Sequence, residues 1–174
     1  PLQVKKLTTA DVQLYHMEDW LDHSRNVPVS EVKLEQSQKY IQLRQLTVTN
    51  EHRSLSRGKH ATGNGNYLSN GPWKCTSGDA RYDGLSGSEQ AYGCISDGQG
   101  YNEWLRFNLS DVDTLESRPV DQVIAYNRMD STSGKAELDG TVVLVLTPEG
   151  EPVSVFSLTT DFVQVLVAPN HDVP

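Results

Sequence analysis

From Val29 onward the chain alternates apolar and polar residues with a period of two, in short runs separated by Gly, Pro, Asp and Asn. A period of two puts successive side chains on opposite faces of a strand, so each run has one face to bury and one to leave in water. Val32 and Leu34 start the pattern. In "YIQLRQLTVTN" the phase flips: Ile41 and Leu43 are odd, Leu46 and Val48 even. A bulge near Arg44–Gln45 would keep all four inward. In "EWLRFNL", Leu105, Phe107 and Leu109 face one way, and Trp104, Arg106 and Asn108 the other. "DQVIAYN", "GTVVLVL", "EPVSVFSL" and "DFVQVLVA" follow at short spacing, with "PEG" as a turn between two of them. Short strands punctuated in this way predict an all-β sandwich or barrel.

The first 28 residues read differently. In "TTADVQLYHMEDWLDHS", Leu14, Met17 and Leu21 recur at helical spacing, and Thr8 with Asp11 has the form of a capping box. "NVPVS" breaks that pattern. The chain of 174 residues therefore divides into an N-terminal helical or extended arm, 1–28, and one β domain, 29–174, long enough to bury a core of its own. Residues 50–100 carry almost no periodicity and are rich in Gly, Asn, Ser and Asp, which reads as binding loops.

Composition narrows the function. A net charge of -8 argues against nonspecific nucleic-acid binding and against docking on anionic lipid. A mean hydropathy of -0.52 and the lack of any run of about 18 apolar residues predict a soluble chain without a membrane span. No charged-then-apolar leader is present, and an opening at Pro1 rather than Met leaves targeting open. Cys75 and Cys94 fit either a disulfide or two thiols, and two sulfurs without nearby His do not make a zinc site.

Signs of catalysis are missing. There is no phosphate loop between strand and helix, no G-x-S-x-G elbow, and no metal-ligand spacing among His16, His23, His52, His60 and His171. The chain reads as a binding protein, not an enzyme. Its loops offer hard oxygen ligands suited to calcium, with Asp79, Asp83 and Asp97 as candidates, although Asn, Asp and Gly also simply make turns. Tyr67, Trp73, Tyr82, Tyr92 and Tyr101 lie among them. Aromatics in polar loops suit sugar rings; the plainer reading is that some, Trp73 first, plug the end of the barrel. Asn108-Leu109-Ser110 has the form of a glycosylation sequon within a predicted strand.

The order of these pieces resembles the discoidin, or coagulation-factor type C, domains, and within them the F-type (fucose-binding) lectins. "YIQLRQLTVTN" is similar to the opening strand of that family, "GKHATGNGNYLSNGPWKCTSGD" to its long loop, and "EWLRFNLS" to the strand after it. "VDQVIAYNRMD" and "LDGTVVLVLTPEGEPV" resemble the strand and hairpin that follow. The lectin motif is a His, twenty-six residues, Arg-x-Asp, four residues, then Arg or Lys. Here Arg128, Asp130 and Lys135 match its basic half, and Tyr101 stands where the His would be. Other departures are Ser77 for the usual Asp, Ser131-Thr132 for an adjacent cysteine pair, and Ala168-Pro169 where a Cys-Glu is usual.

The resemblance implies a galactose-binding-domain-like jelly roll of about eight strands with its binding loops at one end. It implies Arg128, Lys135, Tyr101 and Asp130 as ligand-binding residues; Tyr82, from the loop aromatics, and Asp79 and Asp83, from the calcium candidates, complete the expected site, and the departures above make calcium less expected than in a typical member. The expected function is noncatalytic binding of a fucose- or galactose-containing glycan, or adhesion, in a cell-surface, secreted or virion setting. The alternative is a structural or docking subunit of a larger assembly, with Arg128 and Asp130 only orienting a loop.

Overall fold

A computed structural model describes residues 27–51, 53–65, 70–78, 93–96, 100–110, 117–128 and 136–167. The helix expected over 8–24 lies outside these residues. Among them the chain forms eleven strands: β1 (Glu31–Gln36), β2 (Gln42–Leu43), β3 (Gln45–Asn50), β4 (Arg53–Ser54), β5 (Ala61–Gly63), β6 (Cys94–Ile95), β7 (Glu103–Asn108), β8 (Gln122–Tyr126), β9 (Val142–Leu146), β10 (Pro152–Ser157) and β11 (Val163–Val167). A short 3-10 turn spans Pro72–Thr76. All pairings are antiparallel. They make a five-stranded sheet ordered β10-β9-β1-β7-β5, a four-stranded sheet ordered β11-β8-β3-β4, and the small pair β2-β6. The chain is thus an all-β sandwich.

The register shows why these residues make these strands. Leu34 of β1 sits opposite Leu105 of β7 and Val143 of β9, and Val32 sits opposite Phe107 and Val145. All six are fully buried. In the other sheet Leu46 pairs with Ala125 and Val48 with Val123, again all buried. The two inner faces join Ile41, Leu43, Leu138 and Leu158 in one core cluster. Each alternating run therefore buries its apolar set in the sandwich interior, which is the main source of its stability. Polar members face out: Arg106 lies 5.8 Å from the Trp104 ring centroid and 3.1 Å from the Glu31 carboxylate.

Two expectations change in detail. The phase flip in 40–50 does keep Ile41, Leu43, Leu46 and Val48 buried, but not through a bulge in one strand. Arg44 separates β2 from β3, and the chain changes partners there: β2 pairs with β6 and β3 with β8. The Arg44 N–H donates to the Tyr126 carbonyl at 2.8 Å, which anchors the crossing. Residues 50–100 are also more regular than their composition implied. β4, β5, the 3-10 turn and β6 lie within them, so the strand count exceeds the expected eight.

The "PEG" turn is present: the Thr147 N–H donates to the Glu151 carbonyl at 2.9 Å, the Gly150 N–H donates to the Thr147 carbonyl at 3.0 Å, and Gly150 takes a φ of 84°. Cys75 and Cys94 form a disulfide with a Cα–Cα distance of 5.4 Å, and both are fully buried. No helix among the described residues is long and apolar enough to cross a membrane.

Candidate functional site

The strand ends decide which loops meet. β1 ends at Gln36, opposite Glu103 where β7 begins. β8 ends at Tyr126, opposite Gln45 where β3 begins and Val163 where β11 begins. Residues 37–41, 100–102, 127–128, 136–141 and 158–162 therefore emerge at one end of the sandwich. They are tied to each other there. The Asn127 N–H donates to the Phe162 carbonyl at 2.7 Å, the Gln36 amide to the Asp139 carbonyl at 3.0 Å, and the Lys39 ammonium to the Ala136 carbonyl at 2.9 Å.

Tyr101 is the most exposed large apolar side chain among the described residues, at 71%. It is held out by a tight turn. Gly100 takes a φ of 80° and Asn102 a φ of 52°, so the backbone reverses around Tyr101 before β7 starts. The Glu103 carboxylate, itself buried, accepts the Gly100 N–H at 2.7 Å and pins the turn. Gly100 lies against Tyr40: a side-chain carbon there would meet its ring at 3.6 Å, ordinary contact.

Arg128 follows β8 and is half-buried. Its backbone N–H donates to the Asn127 side-chain oxygen at 2.8 Å, and the buried Asn127 amide donates to the Thr160 carbonyl at 3.3 Å. The guanidinium donates to the Gln42 side-chain oxygen. The segment 37–42 is thus the link between Tyr101 and Arg128: the Asn102 N–H donates to the Ser37 carbonyl at 3.3 Å, Tyr40 flanks Gly100, and Gln42 engages Arg128. An exposed ring, a cation and an amide at one loop end can stack on an apolar face and donate to hydroxyls.

Of the other residues singled out, Lys135, Asp130, Tyr82, Asp79, Asp83, Asp97, Tyr67 and Tyr92 lie outside the described residues. Among the described residues, no three or more His, Cys, Asp or Glu cluster as a metal site. Trp73 is not a plug. It is 54% exposed on the 3-10 turn, and its ring fills the space a side chain on Gly71 would take, 1.8 Å from such a carbon. Glycine at 71 is what lets the ring fold back on its own turn.

Nothing in the sequence marks Tyr40 as the neighbour of Gly100, Gln42 as that of Arg128, or Lys39 as that of Ala136. They read as the start of an apolar strand, and their role comes from the break at Arg44 that turns this segment across the end of the sandwich. Ser96 fastens it: its hydroxyl accepts the Ile41 N–H at 2.9 Å, and its own N–H donates to the Ile41 carbonyl at 3.0 Å. Ser96 is fully buried, so Ser96→Ala should leave the Ile41 N–H unpaired and cost about 1–2 kcal/mol in urea denaturation. A change below about 0.3 kcal/mol would mean that water or another group replaces the hydroxyl.

Comparison with protein-family models, with curated proteins and with solved structures gives no match to any of them. The discoidin likeness rests on the order of the sequence motifs.

Proposed function

We propose that the chain is a noncatalytic carbohydrate-binding module of the discoidin type, a jelly roll whose ligand sits at the loop end of the sandwich. Arg128 donates to sugar hydroxyl or ring oxygens, Tyr101 stacks on an apolar pyranose face, and Lys135, seven residues after Arg128, adds a second cation. The observation that supports this is the emergence of Arg128 and Tyr101, with twenty-six residues between them in sequence, at one end of the fold, joined through residues 37–42. Tyr in place of the motif's His keeps a donor and adds a stacking ring, which favours a ligand presenting a broad apolar face.

Tyr101→Ala is the clean test, because the ring is 71% exposed and its loss should move stability by less than about 0.5 kcal/mol. On a glycan array followed by calorimetry with the best ligand, the variant is expected to bind at least about tenfold more weakly, a loss of about 1.4 kcal/mol. A blank array with and without calcium would sink the reading. It would leave the docking-subunit alternative, which has Val155, Val163 and Val165 exposed on the edge strands β10 and β11 in its favour.

A further inference from the structure

Asn108-Leu109-Ser110 is the only Asn-x-Ser/Thr triplet in the 174 residues, and its middle residue is not Pro. A position inside a strand would hide such a triplet in the sheet. The structure puts it at a strand end: Asn108 is the last residue of β7, and Leu109 and Ser110 lie beyond it. The Asn108 side chain follows Trp104 and Arg106 on the outward face and is exposed. The Ser110 main-chain N–H donates to its Oδ1 at 2.9 Å and closes an Asx turn. The oxygen is thus engaged, while the amide nitrogen Nδ2 has no partner among the described residues. Nδ2 is the atom that bonds the sugar in N-linked glycosylation. Glu31, opposite Asn108 in the register, pairs with Arg106 at 3.1 Å. A sugar on Nδ2 therefore projects over a polar, hydrated face and displaces no packed side chain.

A second observation concerns the compartment. The Cys75–Cys94 disulfide is fully buried. Disulfides form and persist in oxidising surroundings such as the secretory route and are rare in the cytosol. A bridge this deep closes while the chain is still folding, so the folding compartment is the oxidising one. The triplet itself then sets the order of events. Leu109 is buried in the core, and its N–H donates to the Ser30 carbonyl at 2.8 Å. The Asn108 N–H donates to the His60 carbonyl at 3.1 Å. With its main chain tied to two neighbours, the folded triplet cannot enter an enzyme's groove without opening the sheet.

We propose that Asn108 carries an N-linked glycan, transferred in the secretory route before the β domain closes. The donor is an oligosaccharide on a lipid diphosphate. The Nδ2–anomeric carbon bond forms, the anomeric carbon–oxygen bond breaks, the lipid diphosphate leaves with the electron pair, and the amide loses one proton. The glycan is rooted about 17 Å along β7 from Glu103, at the far end of that strand from Tyr101. This does not depend on the carbohydrate-binding reading.

Peptide mass spectrometry tests it, on the full chain directed by a leader into the secretory route of cultured animal cells. Asn108 is expected to carry a glycan that peptide-N-glycosidase releases, leaving that position deamidated. Ser110→Ala should lose the glycan completely and keep the fold. Both described hydrogen bonds of Ser110 are through its main chain, the second accepting from the Lys59 ammonium at 3.2 Å. Asn108→Gln, which also gives up the Asx turn, is the second variant and should show the same loss. In vitro, microsomal transferase with lipid-linked donor should modify the reduced, denatured chain at least about tenfold faster than the folded, bridged one. A secreted, disulfide-bonded chain with bare Asn108, a glycan that survives in Ser110→Ala, or equal transfer to the folded and unfolded chains would each overturn the proposal.

Discussion

Gly93→Ala is expected to destabilise the protein by about 3 kcal/mol or more in urea denaturation, far beyond an ordinary surface glycine. Gly93 takes a φ of 59°, a region that costs an L-residue about 1–2 kcal/mol. It also lies against the backbone where the chain changes sheets. An added side-chain carbon would sit 2.2 Å from the Leu43 carbonyl oxygen and 2.6 Å from the Arg44 Cα and carbonyl oxygen. All three are main-chain atoms, and Leu43 is held in β2 by its pairing with Cys94. Nothing there is the far end of a flexible side chain, so relief requires moving the strand break itself. Gly150→Ala is the matched control. It shares the positive φ, at 84°, but has open space where the new carbon would go, so it should cost only the backbone term of about 1 kcal/mol. Equal losses in the two variants would show that the close approach at Gly93 is not what glycine serves there.

Removing the Cys75–Cys94 bridge should have an effect of similar size. The two residues are 19 apart in sequence, and freeing a loop of that length raises the entropy of the unfolded chain by an amount equivalent to about 3 kcal/mol. The double variant Cys75→Ala/Cys94→Ala is expected to lose about that much stability by chemical denaturation. Both sulfurs are fully buried, so alkylation after adding reductant should proceed only as the fold opens, and much faster in denaturant. The bridge also has a path to the candidate site. It ties the 3-10 turn to β6, β6 pairs with β2, and Gln42 of β2 accepts from Arg128. Ligand affinity at the loop end should therefore fall in the double variant under conditions where it remains folded. An unchanged denaturation midpoint would argue that the turn and β6 hold together without the covalent link.

Much of the fold was readable because it is local. Leu105, Phe107 and Leu109 are on the inward face, and Trp104, Arg106 and Asn108 are on the outward one, as a period of two requires. The long final strands and the "PEG" turn also follow from a few residues each. The break at Arg44 was not readable in the same way. A bulge and a change of sheet make the same phase flip in sequence, and only the pairing partners tell them apart. Likewise, spacing left a bridge and two thiols equally open for Cys75 and Cys94, since what decides is whether the 3-10 turn and β6 come within reach.

The candidate site was legible as residue types and not as a place. Arg128 and Tyr101 stood out through their motif, whereas Gln42, Tyr40 and Ser96 carried no signal of their own. By itself, the sequence determined which faces of which segments are buried, because apolar alternation acts between residues two apart and needs no knowledge of partners. The tertiary structure decided which loops share an end. Arg128 meets Gln42 across 86 positions of chain, and such contacts depend on strand order and register, which residues far apart in sequence set together when they close one core.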